Sequence, residues 1–241
     1  GAIRYPLPQF SVRLDTADPD GGRMIRRVSL EPPLVGTRPA VTASIAPAAP
    51  VLDGEIDFGT FTREPQVPAL GPMKRNLRSI TPKTEAWLAY TEDALHIAFR
   101  CREPDADALK IDATDRDAAV WQDDSVAVLI EPDGDGEGRD YRHVIVNAKG
   151  VTYDAMGFDN AVDLAGLQTE VAVGENAWTA EIAIPWAGLG LHGPPNNAGI
   201  LLGRNRQVTG SAEVFQFPLS PNGNHQPSQY ARLELQKDHT P

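Results

Sequence analysis

Trp121 stands in the stretch AVWQDDSVAVLIEPDGDGEGRDY, residues 119–141, where one indole precedes two aspartates, an apolar run and a loop of alternating acids and glycines. An indole presents a flat apolar face that can stack on the apolar face of a sugar ring, or it can cover the edge of a core. Downstream, Asp133, Asp135 and Glu137 recur at every second residue, and the glycines between them let the backbone wrap a small hard cation such as Ca2+. The place of a closing bidentate glutamate is held by Val144, which excludes an EF-hand. Asp53, Glu55 and Asp57 in LDGEIDFG alternate in the same manner and form a second candidate cation loop. A solvated turn is the competing reading of both, since Asp-Gly pairs favour positive φ.

Other chemistries lack their residues. The chain has no G-x-S-x-G elbow, no phosphate-binding G-x-x-x-x-G-K-[ST] loop and no H-E-x-x-H, and its five histidines (His96, His143, His192, His225, His239) are scattered. With 33 acidic residues, some carboxylate pair always appears suitable for glycoside hydrolysis, so none is singled out and the chain is expected not to be an enzyme. A formal net charge of −11 repels phosphate backbones and anionic bilayers, which excludes nucleic-acid partners, and no apolar run reaches the length of about 20 residues needed for membrane insertion. Cys101, the one cysteine, ends an alternating run and is expected to be a buried, inert thiol.

The elements that must position these residues are strands. EAWLAYTEDALHIAFRC reads as a hairpin around TED, with Leu95, Ile97 and Phe99 on one face. SVAVLIEP is a β-branched strand, YRHVIVNAKGVTYDA gives two strands around AKG, and LQTEVAVGENAWTAEIAIPW gives two around GEN, with Trp178, Ala180, Ile182 and Ile184 facing inward. GILLGRNRQV and SQYARLELQ complete the set, and Trp87, Trp178 and Trp186 take core positions. AVDLAGL at 161–167 and WAGLGL at 186–191 are long enough only for single helical turns. This pattern predicts an all-β, antiparallel two-sheet β-sandwich of jelly-roll type over residues 50–241. Residues 1–49, rich in Pro and Ala, read as an extended lead-in with one or two short strands or the tail of a preceding domain.

VLDGEID, YTEDALHIAFRCREPD, VWQDDSVAVLIEPDGD, NAKGVTYDA, WTAEIAIPWAGLG and GRNRQ follow one another over residues 50–236 in an order that resembles family 9 carbohydrate-binding modules and their DOMON-like relatives. The resemblance implies a β-sandwich with structural calcium and a slot in which two tryptophans clamp a sugar. Trp121 matches the first clamp residue. The second is expected in the last loop, SPNGNHQPSQYARLEL, which holds no tryptophan; Asn224 and His225 stand near its place. Ala127 and Ile145 occupy strand positions behind the clamp where sugar-binding members carry charged residues, and Tyr153, Phe158 and Tyr230 are candidates for another aromatic wall. In a haem-binding branch of the superfamily a methionine pairs with histidine or lysine; Met24, Met73 and Met156 have no such paired motif.

These readings lead to a non-catalytic carbohydrate-binding module that takes a polysaccharide or oligosaccharide, belonging to an extracellular or periplasmic polysaccharide-processing protein. Trp121 supplies stacking, and Asp123, Arg204, Asn205, Asn224 and His225 supply hydrogen bonds. The alternative is a docking sandwich without its own sugar site, in which Trp121 meets other domains of a parent enzyme.

Overall fold

Val126, Val128 and Ile130 are buried on one face of their strand while Ala127 and Leu129 point to the other. Such period-two segments recur through the chain, and each can hide its apolar face only as a strand within a layered sheet. The computed structural model describes residues 11–17, 23–29, 38–73, 82–138, 140–220 and 223–237. It divides into two units, Gly1–Thr37 and Arg38–Pro241. In the first, β1 (Ser11–Ala17) and β2 (Arg23–Ser29) pair as an antiparallel hairpin; the rest of that segment lies outside the described residues.

The second unit contains β3 (Ala40–Ile45), β4 (Gly71–Pro72), β5 (Thr84–Tyr90), β6 (Ala94–Arg102), β7 (Ser125–Glu131), β8 (Arg142–Asn147) and β9 (Thr152–Met156). It continues with β10 (Gln168–Val173), β11 (Ala177–Pro185), β12 (Gly199–Arg206), β13 (Glu213–Phe217) and β14 (Ala231–Gln236). The hydrogen-bonded order is β10-β11-β6-β5-β3-β14-β12-β7-β8-β9, with β13 and then β4 added to β12. This path folds on itself as a β-sandwich, β3 joining the layers by parallel pairing with both β14 and β5. The expected hairpins β5–β6, β8–β9 and β10–β11 all form. Within the Pro- and Ala-rich segment, where one or two short strands were expected, β3 (AVTASI) forms and joins the sheet.

Between the layers lie Leu88, Leu95, Ile97, Phe99, Val128, Val144, Val146, Trp178, Ile182, Ile184, Ile200 and Leu202, all buried. Cys101 is buried among them as expected, and burial pushes its thiol pKa up to about 11, which leaves it protonated and unreactive. Trp87 is buried on the opposite face of β5 against Phe61, with the Arg100 guanidinium 5.0 Å from its ring centroid. Of the two expected helical turns, Trp186–Leu189 forms a 3-10 turn, whereas 161–167 is irregular; further 3-10 turns occur at Ala106–Ala108, Val120–Gln122 and Pro227–Gln229.

Candidate functional site

On β12 the interior face carries Ile200 and Leu202, so the residues of opposite parity, Leu201, Gly203 and Asn205, emerge on the outer face of that layer. Beside them lie Ala127 of β7, Ile145 of β8 and Val214 of β13, and together these line the floor of a cleft of 510 Å3. That volume lies within the range of about 300–1,000 Å3 common for small-molecule sites.

One side of the cleft is aromatic. Trp121 sits on the Val120–Gln122 turn, whose Val120 is fully buried while the indole remains 46% exposed. Its ring meets Tyr153 edge-on at 5.3 Å, Tyr153 meets His143 at 5.6 Å, His143 meets His225 at 5.1 Å, and His225 lies 4.5 Å from Phe158. This arc of five rings lines the cleft, with Phe158 also exposed. His225 is steadied by a 2.8 Å hydrogen bond between its Nδ1 and the Tyr141 hydroxyl. The remaining polar lining consists of the carboxamides Asn205, Gln207, Gln216 and Asn224, together with Arg204.

The six residues expected to contact a ligand separate into two groups. Trp121, Asn205, Asn224 and His225 come together at the cleft. Asp123 does not join them: its buried carboxylate accepts hydrogen bonds from the backbone N–H groups of Asp112 and Ala113, each at 3.0 Å, and from Asn147 Nδ2 at 2.9 Å. Asp124 likewise accepts from the backbone of Lys110 and Gln207. The paired acids after Trp121 are thus clamps that hold the 110–113 segment and the turn bearing the indole. Arg204 borders the cleft, but its fully buried side chain turns between the layers, where it donates to Thr84 Oγ1, the Arg102 carbonyl and Glu103. It shares the parity of Leu202, and this spacing already pointed inward.

His143, Gln207 and Gln216 were not singled out from sequence. His143 and Gln216 lie on the outward parity of β8 and β13, a signal that strand alternation contains once the register is known. His143 is buried and its Nε2 has no hydrogen-bond partner among the described residues. Burial lowers its pKa to about 3, with the neighbouring His225 adding to the effect. Because the folded pKa is depressed, the stability gained from neutral His143 is fully present above the unfolded value of about 6.5 and is lost as pH falls toward 3. The cost reaches about 2 kcal/mol by pH 5. Thermal melts of wild type and His143→Gln between pH 7 and pH 5 check this: the wild-type Tm falls by several degrees more than that of the variant, and parallel curves would refute it.

Two groups of three carboxylates converge among the described residues, each with ligand atoms within 4.8 Å of one another. Glu131, Asp133 and Asp135 form one, so Glu131, at the end of β7, takes the place expected for Glu137; the Glu137 backbone N–H donates to Asp135 Oδ1. Burial, with Asp135 and Asp133 nearby, pushes the Glu131 pKa up to about 7 despite the hydrogen bond from the Gly136 N–H and the Arg38 guanidinium at 3.4 Å. Gly134 and Gly136 have φ of 69° and 80°, the left-handed geometry that closes this loop. Asp117, Asp154 and Asp163 form the other group, which Arg116 bridges; it unites three separate segments and was not visible in sequence. Asp53, Glu55 and Asp57 do not form such a group. Asp53 accepts from the Glu55 N–H, and Asp57 accepts from Gly59 N–H and Thr60 Oγ1, as residues that shape turns.

No protein-family model and no curated protein sequence matches the chain. Solved structures do match. A family 9 carbohydrate-binding module from Caldicellulosiruptor kristjanssonii in complex with glucose aligns with a TM-score of 0.60 at 17% identity, covering 82% of this chain and 97% of that one. A cellotriose complex of a family 9 module from the same organism gives 0.57 at 20% identity, with 82% and 95% covered. An inferred carbohydrate-binding protein from Bacteroides uniformis gives 0.61 at 14% identity, with 82% and 99% covered. The fold is that of family 9 carbohydrate-binding modules.

Proposed function

We propose that this chain is a non-catalytic carbohydrate-binding module that takes the end or a short stretch of a saccharide into the cleft beside Trp121. The observation that carries the reading is the half-exposed indole in a cleft whose lining also offers carboxamides. A sugar ring needs this pairing, an apolar plate for its C–H face and uncharged hydrogen-bonding groups for its edge. The glucose and cellotriose complexes of structural neighbours support the same choice of ligand. One stacking face and a few solvent-competed hydrogen bonds supply about −4 to −8 kcal/mol, a millimolar to micromolar Kd. Calorimetric titration of the chain with glucose, cello-oligosaccharides and a broad glycan panel tests this, and the absence of heat and of indole fluorescence change with every saccharide rejects it. The setting that suits such a module is an extracellular or periplasmic polysaccharide-processing protein.

A docking surface for a neighbouring domain is the second reading. The apolar floor favours it, since Ala127, Ile145, Leu201 and Val214 offer a protein partner as much as a sugar.

Structural Ca2+ fits the loop after β7. Three carboxylates within 4.8 Å of one another repel unless a cation separates them, and Arg38 neutralises only one. The expected result is a higher Tm in millimolar CaCl2 than in chelator, by linkage worth about 2.7 kcal/mol at a hundredfold excess over Kd. The paired change Asp133→Asn and Asp135→Asn abolishes the difference. Identical melts with and without chelator exclude a tightly held ion.

A further inference from the structure

The floor of the cleft says which sugar it takes. Ile145, Ala127 and Gly203 stand side by side across β8, β7 and β12, with Leu201 and Val214 also in the lining, and Gly203 adds no side chain at all. A Cβ built at Gly203 would come no nearer than 3.5 Å to the Ala127 Cβ, so the glycine is not there to relieve crowding and instead leaves the floor deep at this point. Gln216 pairs with Gly203 across the strands, yet it is buried and its Nε2 donates to the Ser220 carbonyl. Among the described residues no aspartate, glutamate or lysine lines the cleft, and the charged residue in that lining, Arg204, directs its guanidinium into the sandwich. In a chain of net charge −11 the described lining of the cleft is thus free of acids.

A hydroxyl pressed onto such a floor gives up its water and gains no partner, while a methyl group gains apolar contact. We infer that the saccharide recognised here is uncharged and turns a methyl group toward Gly203, as a 6-deoxy carbon or an O-methyl ether; this rests on the saccharide-binding reading above. The aromatic arc and the carboxamides then grip the remainder of the ring, and the floor sets specificity by penalising the hydroxylated counterpart.

The test uses the full chain and pairs of free sugars matched in configuration: glucose with 6-deoxyglucose, galactose with 6-deoxygalactose, mannose with 6-deoxymannose, together with 3-O-methylglucose and glucuronic acid. Affinities are read by NMR titration of the indole N–H signals. At least one methyl-bearing sugar binds tenfold or more tightly than its parent, the winning arm separating deoxy sugar from ether, and glucuronic acid binds no better than glucose. Gly203→Ser places a side chain and a hydroxyl in the depression and lowers the affinity for the preferred sugar tenfold or more, with circular dichroism reporting that the variant is folded. Parents that bind as well as or better than all their methyl-bearing counterparts, or glucuronic acid that outcompetes glucose, overturn the inference and leave the module reading intact. No binding by any saccharide, cello-oligosaccharides included, overturns both.

Discussion

Trp121→Ala lowers saccharide affinity about thirtyfold or more and leaves the melting temperature nearly unchanged. The two halves of this expectation have separate causes. Central tryptophans in binding sites commonly contribute about 2 kcal/mol or more, and each 1.4 kcal/mol is a factor of ten in Kd. The same indole contributes little to folding, because it is 46% exposed and its described ring contact is one edge-on approach to Tyr153. Titration calorimetry on folded variant and wild type measures the first effect, and thermal melting the second. Trp121→Phe keeps a smaller stacking face and falls between. An alanine variant with unaltered affinity would move the binding site away from this cleft, and a variant that fails to fold would show that the ring is part of the core.

The largest loss of stability is expected from Glu103→Ala. Glu103 is fully buried; its Oε2 accepts from Arg204 Nη2 at 3.0 Å and Arg206 Nε at 2.6 Å, and its Oε1 accepts from Arg206 Nη2 at 2.9 Å. Burial alone would raise its pKa, but the hydrogen bonds and charges of Arg206, with the charge of Arg204, outweigh it and hold the carboxyl below its ordinary value. Arg206 keeps a second acid, Glu213 at 2.7 Å, whereas Arg204 is left with Thr84 Oγ1 and the Arg102 carbonyl. Alanine therefore strands a buried guanidinium between the layers, at a cost of about 3–5 kcal/mol. In a unit of this size the Tm falls by about 10 °C or more. Melting followed by circular dichroism checks it, and a change of under about 2 °C would mean that water or rearrangement replaces the carboxylate. The network also ties β12, which carries the cleft floor, to the end of β6, so surviving protein is expected to bind saccharide more weakly.

Some of this was legible in the sequence because burial along a strand has a period of two. Leu95, Ile97 and Phe99, and Trp178, Ala180, Ile182 and Ile184, were assigned inward by alternation and lie in the core. The neighbours of Trp121, a polar irregular stretch and two acids, set it apart from the other tryptophans but left open whether it meets a ligand or covers the sandwich edge. Arg204 and Asp123 were placed at the site from loop position, yet Arg204 shares the parity of Leu202, and Asp123 accepts from backbone N–H groups of the 110–113 segment. For Arg204, strand parity was the better guide than loop position.

What the sequence determined alone was local: which segments are strands, which faces are apolar, where turns fall and that one indole stands apart. The tertiary structure decided everything that joins distant positions. It brought Trp121, Tyr153, His143, His225 and Phe158 into one arc, gathered Asp117, Asp154 and Asp163, and buried Glu103 against Arg204 and Arg206. The physical reason is that alternation is imposed by backbone geometry over a few residues, whereas these meetings depend on strand register and on where each loop closes, which only the packed sandwich specifies.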